Sequence, residues 1–322
     1  MSLANLFNLI RNELGKIYIM KSTWAMYIFL IAFVILILVL NTVTDSVDSE
    51  TTYTDDWQTE LQEENQALTE EIDTAGENDP FIESENMSRI QQNNYLLEND
   101  IRPYGYHAGS FVLENVFTSS LVSLFVIIIA GGIVANEFRW GTIKQLLIRP
   151  ISRSKILLSK YIALLLFTFF TVVFLLVVNT IVGAIFYGVP VINPEVIVDR
   201  PDGMESNTLL SEIFMQYGFR VLNIIVLATF GFMISSIFRS SALAIGLSMF
   251  LMFIGTTVAQ AMSQYEWSKY ILFANTDLSV YFSPFGPIRE EMTIGFSIAV
   301  IAVYMIVFIV AAWSIFTKRD VA

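Results

Sequence analysis

The chain has 322 residues, 55% of them hydrophobic, a net charge of −12 and no cysteine. That apolar share, with a mean hydropathy of +0.61, exceeds what a soluble domain of this size needs for its core, and the lack of cysteine excludes disulfides, thiolate metal sites and thiol redox chemistry. The acidity is local: 18 acids and two bases lie between Asp45 and Glu114, so the low isoelectric point describes one loop, and no basic footprint for nucleic acid is present.

Residues 1–23 read as an amphipathic helix. Leu3, Leu6, Phe7, Ile10, Leu14 and Ile17 recur at three- and four-residue steps, with Asn5, Asn8, Arg11, Asn12 and Lys16 between them. Directly before a span, this pattern predicts a helix lying along the inner membrane surface. Packing on a partner protein is the alternative.

Residues 24–43 are the first of six runs that reach the ~20 apolar residues needed to cross a bilayer. The others are Val116 to Ala135, Tyr161 to Tyr187, Tyr217 to Phe238, Ala242 to Met262 and Ile294 to Phe316. Buried helices of soluble proteins rarely stay apolar on every face for so long. The first run begins only at Trp24 and is followed by NTVTDS, with no small-residue cleavage pattern, so a cleavable signal peptide is not expected. Six crossings put both termini on one side. That side holds 12 of the 18 Lys and Arg residues, so the N-terminus and C-terminus are predicted cytoplasmic.

Residues 44–115 form an acidic extracellular loop, too polar to build a core alone. Trp57, Leu61, Leu68 and Ile72 are spaced for one helix face. Met87, Ile90, Asn94, Leu97 and Ile101 read as a short coiled-coil seam with Asn94 as its polar member. Gly76, Asn78 and Pro80 break the chain between them. A helical hairpin is expected, with a disordered acidic loop as the alternative. Residues 116–322 hold the other five spans. Gly188 to Ser211 reads as a turn-rich connection, and Arg239 and Ser240 join the fourth and fifth spans. Ser263 to Glu291 carries Trp267, Tyr270, Phe273, Tyr281, Phe282 and Phe285, which predicts an interfacial or re-entrant element bounded by Pro284 and Pro287.

Catalytic residues are scarce. His107 is the one histidine and reads as a solvated loop residue, so zinc motifs with paired histidines are impossible. No Asp or Glu sits in the middle of a span, where ion-coupled carriers place titrating groups. The buried polar groups are neutral, and most of them read as hydrogen bonds between helices. Asn179 and Asn223 are the costlier ones in hydrocarbon and are candidates for a substrate path. Gly131, Gly132 and Gly255 read as sites of close helix packing or a bend. No P-loop occurs, so this chain does not bind ATP in that manner.

The basic loop 136–160, NEFRWGTIKQLLIRPISRSKILLSK, carries six Lys or Arg and one acid. An acid at the inner end of the second span, a Gly-Thr-hydrophobic-basic run, a Pro-Ile-Ser-Arg turn and a Lys opening the third span occupy Glu137, Gly141, Thr142, Lys144, Pro150 to Arg153 and Lys160. With the six-span topology, this resembles the permease subunits of bacterial type-2 ABC exporters, of the bacitracin-resistance, lantibiotic-immunity and sodium-extrusion kind.

The resemblance implies an all-α membrane protein of six transmembrane helices in the bacterial cell membrane. It implies a non-enzymatic transport subunit that exports an amphipathic drug, peptide antibiotic or lipid-like compound. ATP and Mg would be bound by a separate cytoplasmic ATPase subunit, and a second permease chain, identical or related, would complete the pathway. Thr142 to Leu147 would be the coupling helix. Gly141, just before that helix, permits the sharp turn after the second span, and Ile143, Leu146 and Leu147 offer an apolar face. Arg139, Lys144 and Arg149 offer charges to the ATPase, and Ser152 caps the next helix. Glu137 would pair with Arg139 or with a base on the N-terminal helix. Contact of these bases with anionic lipid is compatible with docking. The alternative function is a membrane sensor or scaffold that uses the acidic hairpin to bind a ligand or partner.

Overall fold

The computed structural model describes residues 3–43, 53–75, 80–142, 151–189 and 194–318. The amphipathic helix is α1 (Leu3–Ile19), and α2 (Lys21–Val43) is the first apolar helix of membrane-spanning length. The hairpin is α3 (Trp57–Ala75) and α4 (Pro80–Glu98). Then α5 (Ala108–Glu114), one 3-10 turn and α6 (Ser119–Ile133) run together as the second membrane-length helix, and α7 (Ala135–Arg139) follows. The remaining four are α8 (Arg153–Tyr187), α9 (Leu209–Phe238), α10 (Ser241–Ala261) and, after the short α11 (Leu272–Asn275), α12 (Ile294–Lys318). The chain is therefore a multi-pass, all-α membrane protein. Helices suit that setting because each satisfies its own backbone groups without water.

The bundle is organised around α9, which packs on α6, α8, α10 and α12. Val126 and Ala130 of α6, Leu164 and Phe167 of α8, and Ala228 and Phe232 of α9 form the apolar centre. The neutral polar residues cross-link it. Tyr161 and Thr229 hydroxyls meet at 2.9 Å, as do those of Tyr27 and Thr171 at 3.0 Å. Ser235 Oγ donates to the Gly131 carbonyl at 2.8 Å and accepts from the Ala135 amide at 3.0 Å. Thr168 and Thr180 instead bond back to carbonyls four residues earlier in their own helix.

The amphipathic helix packs along the start of α8. Ile17 is buried there, whereas Phe7 points away and is 65% exposed. Thr23 Oγ1 donates to the Ile17 carbonyl at 2.6 Å, and Trp24 Nε1 to that of Tyr18 at 2.8 Å. These two bonds fix the corner between α1 and α2.

The hairpin is folded, with Trp57, Leu61 and Leu68 buried on α3. The seam on α4 is one residue out of phase with the sequence expectation. Asn86 and Asn93 are buried while Met87 and Asn94 are exposed. Asn93 Nδ2 donates to Asn65 Oδ1 at 3.0 Å, and Asn65 Nδ2 to Asn94 Oδ1 at 2.9 Å. A polar ladder across the seam, rather than one polar member, sets the register. At the hairpin base the Arg102 guanidinium donates to the Tyr53 carbonyl at 2.7 Å.

Three other expectations change. The connection between α8 and α9 contains an antiparallel ribbon, β1 (Glu195–Arg200) with β2 (Gly203–Thr208), in register Arg200 to Gly203. His107 is a buried helix cap and not a solvated loop residue: its Nδ1 accepts from the Ser110 amide at 3.1 Å, and burial pushes its pKa below the usual range. Ser152 does occupy the N-cap of α8, but its hydroxyl makes no capping bond. The backbone turns there instead, with the Ser152 carbonyl accepting from Lys155 and Ile156.

The segment after α10 folds back on the bundle as short helical turns. Leu272 packs with Val226 and Phe308. Gly255 admits the Phe273 ring, since a Cβ there would stand 2.3 Å from Phe273 Cγ. Tyr265, Trp267, Tyr270 and Phe285 remain exposed, as an interfacial aromatic belt would be.

Candidate functional site

The basic loop is rooted in a closed ring of four charges. Lys160, in the second turn of α8, is 1% exposed. Its Nζ lies 2.7 Å from Glu13 Oε2 of α1 and 2.9 Å from Glu137 Oε1 of α7. Lys16 Nζ closes the circuit at 2.8 Å from Glu13 Oε1 and 2.8 Å from Glu137 Oε1. Both carboxylates are buried, while the Lys16 side chain is about half exposed (49%).

The ring is neutral as a set, and that is the condition for burying it. An isolated ion in the interior carries a desolvation penalty of several kcal/mol, offset only by close, well-formed pairs. Removing one member strands the others. Burial alone would raise the Glu137 carboxyl pKa. The Lys160 charge, together with hydrogen bonds from Lys16, Thr142 and Lys160, overrides it and holds the group at about 2. Burial likewise opposes charge on Lys16, but its bonds to Glu13 and Glu137 hold its pKa above the usual lysine value.

Local sequence explains the placement. Glu13 and Lys16 stand three apart on α1, so both reach one side of it. α8 begins at Arg153, two turns before its apolar stretch, and those turns carry Lys160 to the level of α1. Gly141 adopts φ +70° directly after α7, where side chains are strained. The chain turns there, and Thr142 Oγ1 bonds back to the Glu137 carboxylate.

A second tether lies on the other side of the root. The Arg239 guanidinium sits 4.3 Å from the centre of the Phe138 ring. Arg239 is the joint between α9 and α10, with φ 55°. Phe138 also meets Phe316 of α12 edge-on. Three helices besides α7, namely α1, α8 and α12, together with the α9–α10 corner, therefore hold the loop root.

Of the expected docking residues, Glu137, Gly141 and Thr142 are together at this root. Arg139 is exposed, with its guanidinium 5.6 Å from the Trp140 ring. Ile143, Lys144, Leu146, Leu147 and Arg149 lie outside the described residues. Glu137 pairs with a base of the N-terminal helix, as one of the two expected arrangements has it, and in addition with Lys160. The two path candidates separate. Asn179 is fully enclosed, with Nδ2 3.4 Å from the Tyr217 hydroxyl. Asn223 borders a polar cavity. Sequence reasoning missed Glu13. The available signal was an acid breaking the apolar phase of α1 beside a base three residues on.

A family model described as a protein of unknown function (DUF2705) matches residues 82–322, a range that includes Glu137 and Lys160 but not Glu13 or Lys16. The uncharacterized protein YhcI of Bacillus subtilis (strain 168) is 38% identical over 322 residues, covering 98% of this chain and all of its own length. The uncharacterized membrane protein YdbK of the same organism is 35% identical over 203 residues, covering 62% of this chain and 78% of its own.

Proposed function

The chain belongs to the DUF2705 family, described as proteins of unknown function, so its role is read from its site, and we propose that it is the membrane-spanning permease subunit of an ATP-binding cassette exporter. The termini and the basic loop face the cytoplasm. A separate ATPase binds ATP and Mg and docks on the loop through Arg139, Lys144 and Arg149, with Ile143, Leu146 and Leu147 as the apolar contact. Two permease chains, identical or related, flank the pathway. The cargo is an amphipathic compound.

One observation carries this reading. Glu137 and Lys160 bracket the loop and are paired with each other at 2.9 Å. The two residues that flank the loop are thus joined, and that junction is bonded to α1, α8 and, through Phe138, to the α9–α10 corner. Force applied at such a junction passes to several membrane helices at once, as a passive subunit driven by another chain requires. The polar residues in its spans are neutral at mid-depth, which fits a pathway whose energy comes from elsewhere.

The test is purification of the chain from its native host and search for a bound P-loop ATPase, followed by reconstitution. ATP-dependent movement of an amphipathic dye should require both chains and should be abolished by Lys144→Glu with Arg149→Glu. A complex with no ATPase and no ATP-dependent movement would discard the proposal.

A second reading, a sensor or scaffold, draws on the folded hairpin. Its helices frame a groove of about 450 Å³ bearing Glu60, Glu64, Glu71 and Arg89. Under that reading the double charge reversal leaves binding at the hairpin unchanged.

A further inference from the structure

A cavity of about 150 Å³ opens at the hairpin end of the bundle, between α6, α9, α10 and the segment after α10. Its polar wall includes Ser119, Ser120, Ser123, Arg220, Asn223 and Asp277. Two features set it apart from a packing defect. The first is Ser119, which is 1% exposed and whose Oγ has no hydrogen-bond partner among the described residues. A buried hydroxyl without a partner is costly, and here it stands at the edge of a space that a ligand can fill.

The second is the pair Arg220 and Asp277. Their contact is a single one at 3.5 Å, Nη1 to Oδ2, and each side chain is 34% exposed. Asp277 Oδ1 is already engaged by the amide and hydroxyl of Ser279. Arg220 has five N–H donors, and this contact uses one of them at the long limit of a hydrogen bond. A loose, half-wet pair of opposite charges is easily opened by a molecule that offers a better anion to the arginine and a cation to the aspartate.

We propose that this cavity binds the zwitterionic head of an amphipath, an ammonium-phosphate group of the phosphoethanolamine type. The phosphate takes Arg220 and the Ser119 hydroxyl, and the ammonium takes Asp277. Size supports a head alone, because pockets for whole drug-sized ligands start near ~300 Å³. The tail has a place outside. Thr256 and Met252 of α10 border the cavity, and Phe253 beside them is 63% exposed on an apolar face. Net neutrality of the Arg220–Asp277 pair selects a zwitterion over a simple anion. The inference deepens the exporter reading by naming a ligand class, and it rests on that reading only for the step that moves the ligand.

Binding is tested without ATP or any partner. The full chain is reconstituted in nanodiscs holding equal phosphatidylethanolamine and phosphatidylglycerol, re-extracted, and its retained lipids are counted by native mass spectrometry. Phosphatidylethanolamine should be retained preferentially. Arg220→Gln should reduce that retention about tenfold or more, the effect of losing one charge-assisted bond. Ser119→Ala should reduce it by less, and Asp277→Asn, which can still cap Ser279, should turn the preference toward phosphatidylglycerol. Thermal melting confirms that each variant is folded. Displacement of the lipid by soluble phosphoethanolamine identifies the head alone as sufficient; selective retention without displacement identifies the lipid. Both support the site. Equal retention of the two lipids by the wild type, or unchanged retention by folded Arg220→Gln, overturns it. Failure of the exporter proposal would look different: lipid selectivity intact, and no ATPase bound.

Discussion

Lys160 Nζ stands 2.9 Å from Glu137 Oε1, across 23 positions of sequence that hold the whole basic loop. Neither residue is held by the other alone. Glu13 and Lys16 lock both, so the fixed point of the loop belongs as much to α1 as to the helices on either side of it.

Removing Lys160 should therefore destabilise more than an exposed ion pair would. Lys160→Met leaves two buried carboxylates served by one half-exposed lysine. The expected loss is about 3–5 kcal/mol, read as a lower melting temperature in detergent. Glu137→Gln added to Lys160→Met should recover part of it by removing one stranded charge. If Lys160→Met melts with the wild type, the ring has no structural weight.

The ring also fixes a pH window. Glu137 titrates near 2 in the folded chain, against about 4.3 unfolded. Its contribution is fully present above about pH 4.3 and is lost as pH falls through about 2. The raised Lys16 pKa acts in the opposite sense, contributing below about pH 10.4 and fading as pH rises through its folded value. The melting-temperature gap between wild type and Glu137→Gln should be constant from pH 5 to 8 and shrink below pH 4. A gap unchanged at pH 2.5 contradicts the assignment.

Arg139 and Glu137 should separate docking from folding. Arg139 is exposed, so Arg139→Glu should leave melting within about 0.5 kcal/mol of wild type while weakening capture of the proposed ATPase. Glu137→Gln should lower both. Equal ATPase capture by Arg139→Glu and wild type would remove Arg139 from the docking surface.

The hairpin should unfold on its own account. Leu61 is fully buried between α3 and α4. Leu61→Ala should cost about 2–5 kcal/mol and expose the hairpin to protease, while the bundle keeps its melting temperature. Coincident loss of both would show that hairpin and bundle fold as one unit.

Gly255 gives a local probe of the segment after α10. Gly255→Val places a branched side chain where the Phe273 ring now sits, at an expected cost of about 1–3 kcal/mol. Trp267 fluorescence should become more accessible to acrylamide.

What was legible beforehand follows the reach of each signal. Six spans are legible because burial in hydrocarbon demands a composition, not a contact. The hairpin helices were legible as periodicity, but their phase was not. Met87 and Asn94 fit the three- and four-residue repeat, yet the register is set by Asn65 and Asn93 across the pair. The turn of the ribbon is legible in Pro201 and Gly203, and the strand signal is the β-branched run Val196, Ile197 and Val198 before them. Lys160 was legible as a charge and Glu137 as an acid in need of a base. Their closure through Glu13 was not, because nothing local relates position 13 to position 160.

The order of synthesis gives the ring a further meaning. Glu13 and Lys16 emerge first, Glu137 much later and Lys160 last, since a chain leaves the ribosome from its N-terminus. Until α8 arrives, α1 and α7 hold two acids and one base in an incomplete site that water must solvate. Arrival of Lys160 balances the charge and lets the site close. The N-terminal helix can therefore complete its ring of ion pairs only after the start of the third membrane helix has been made.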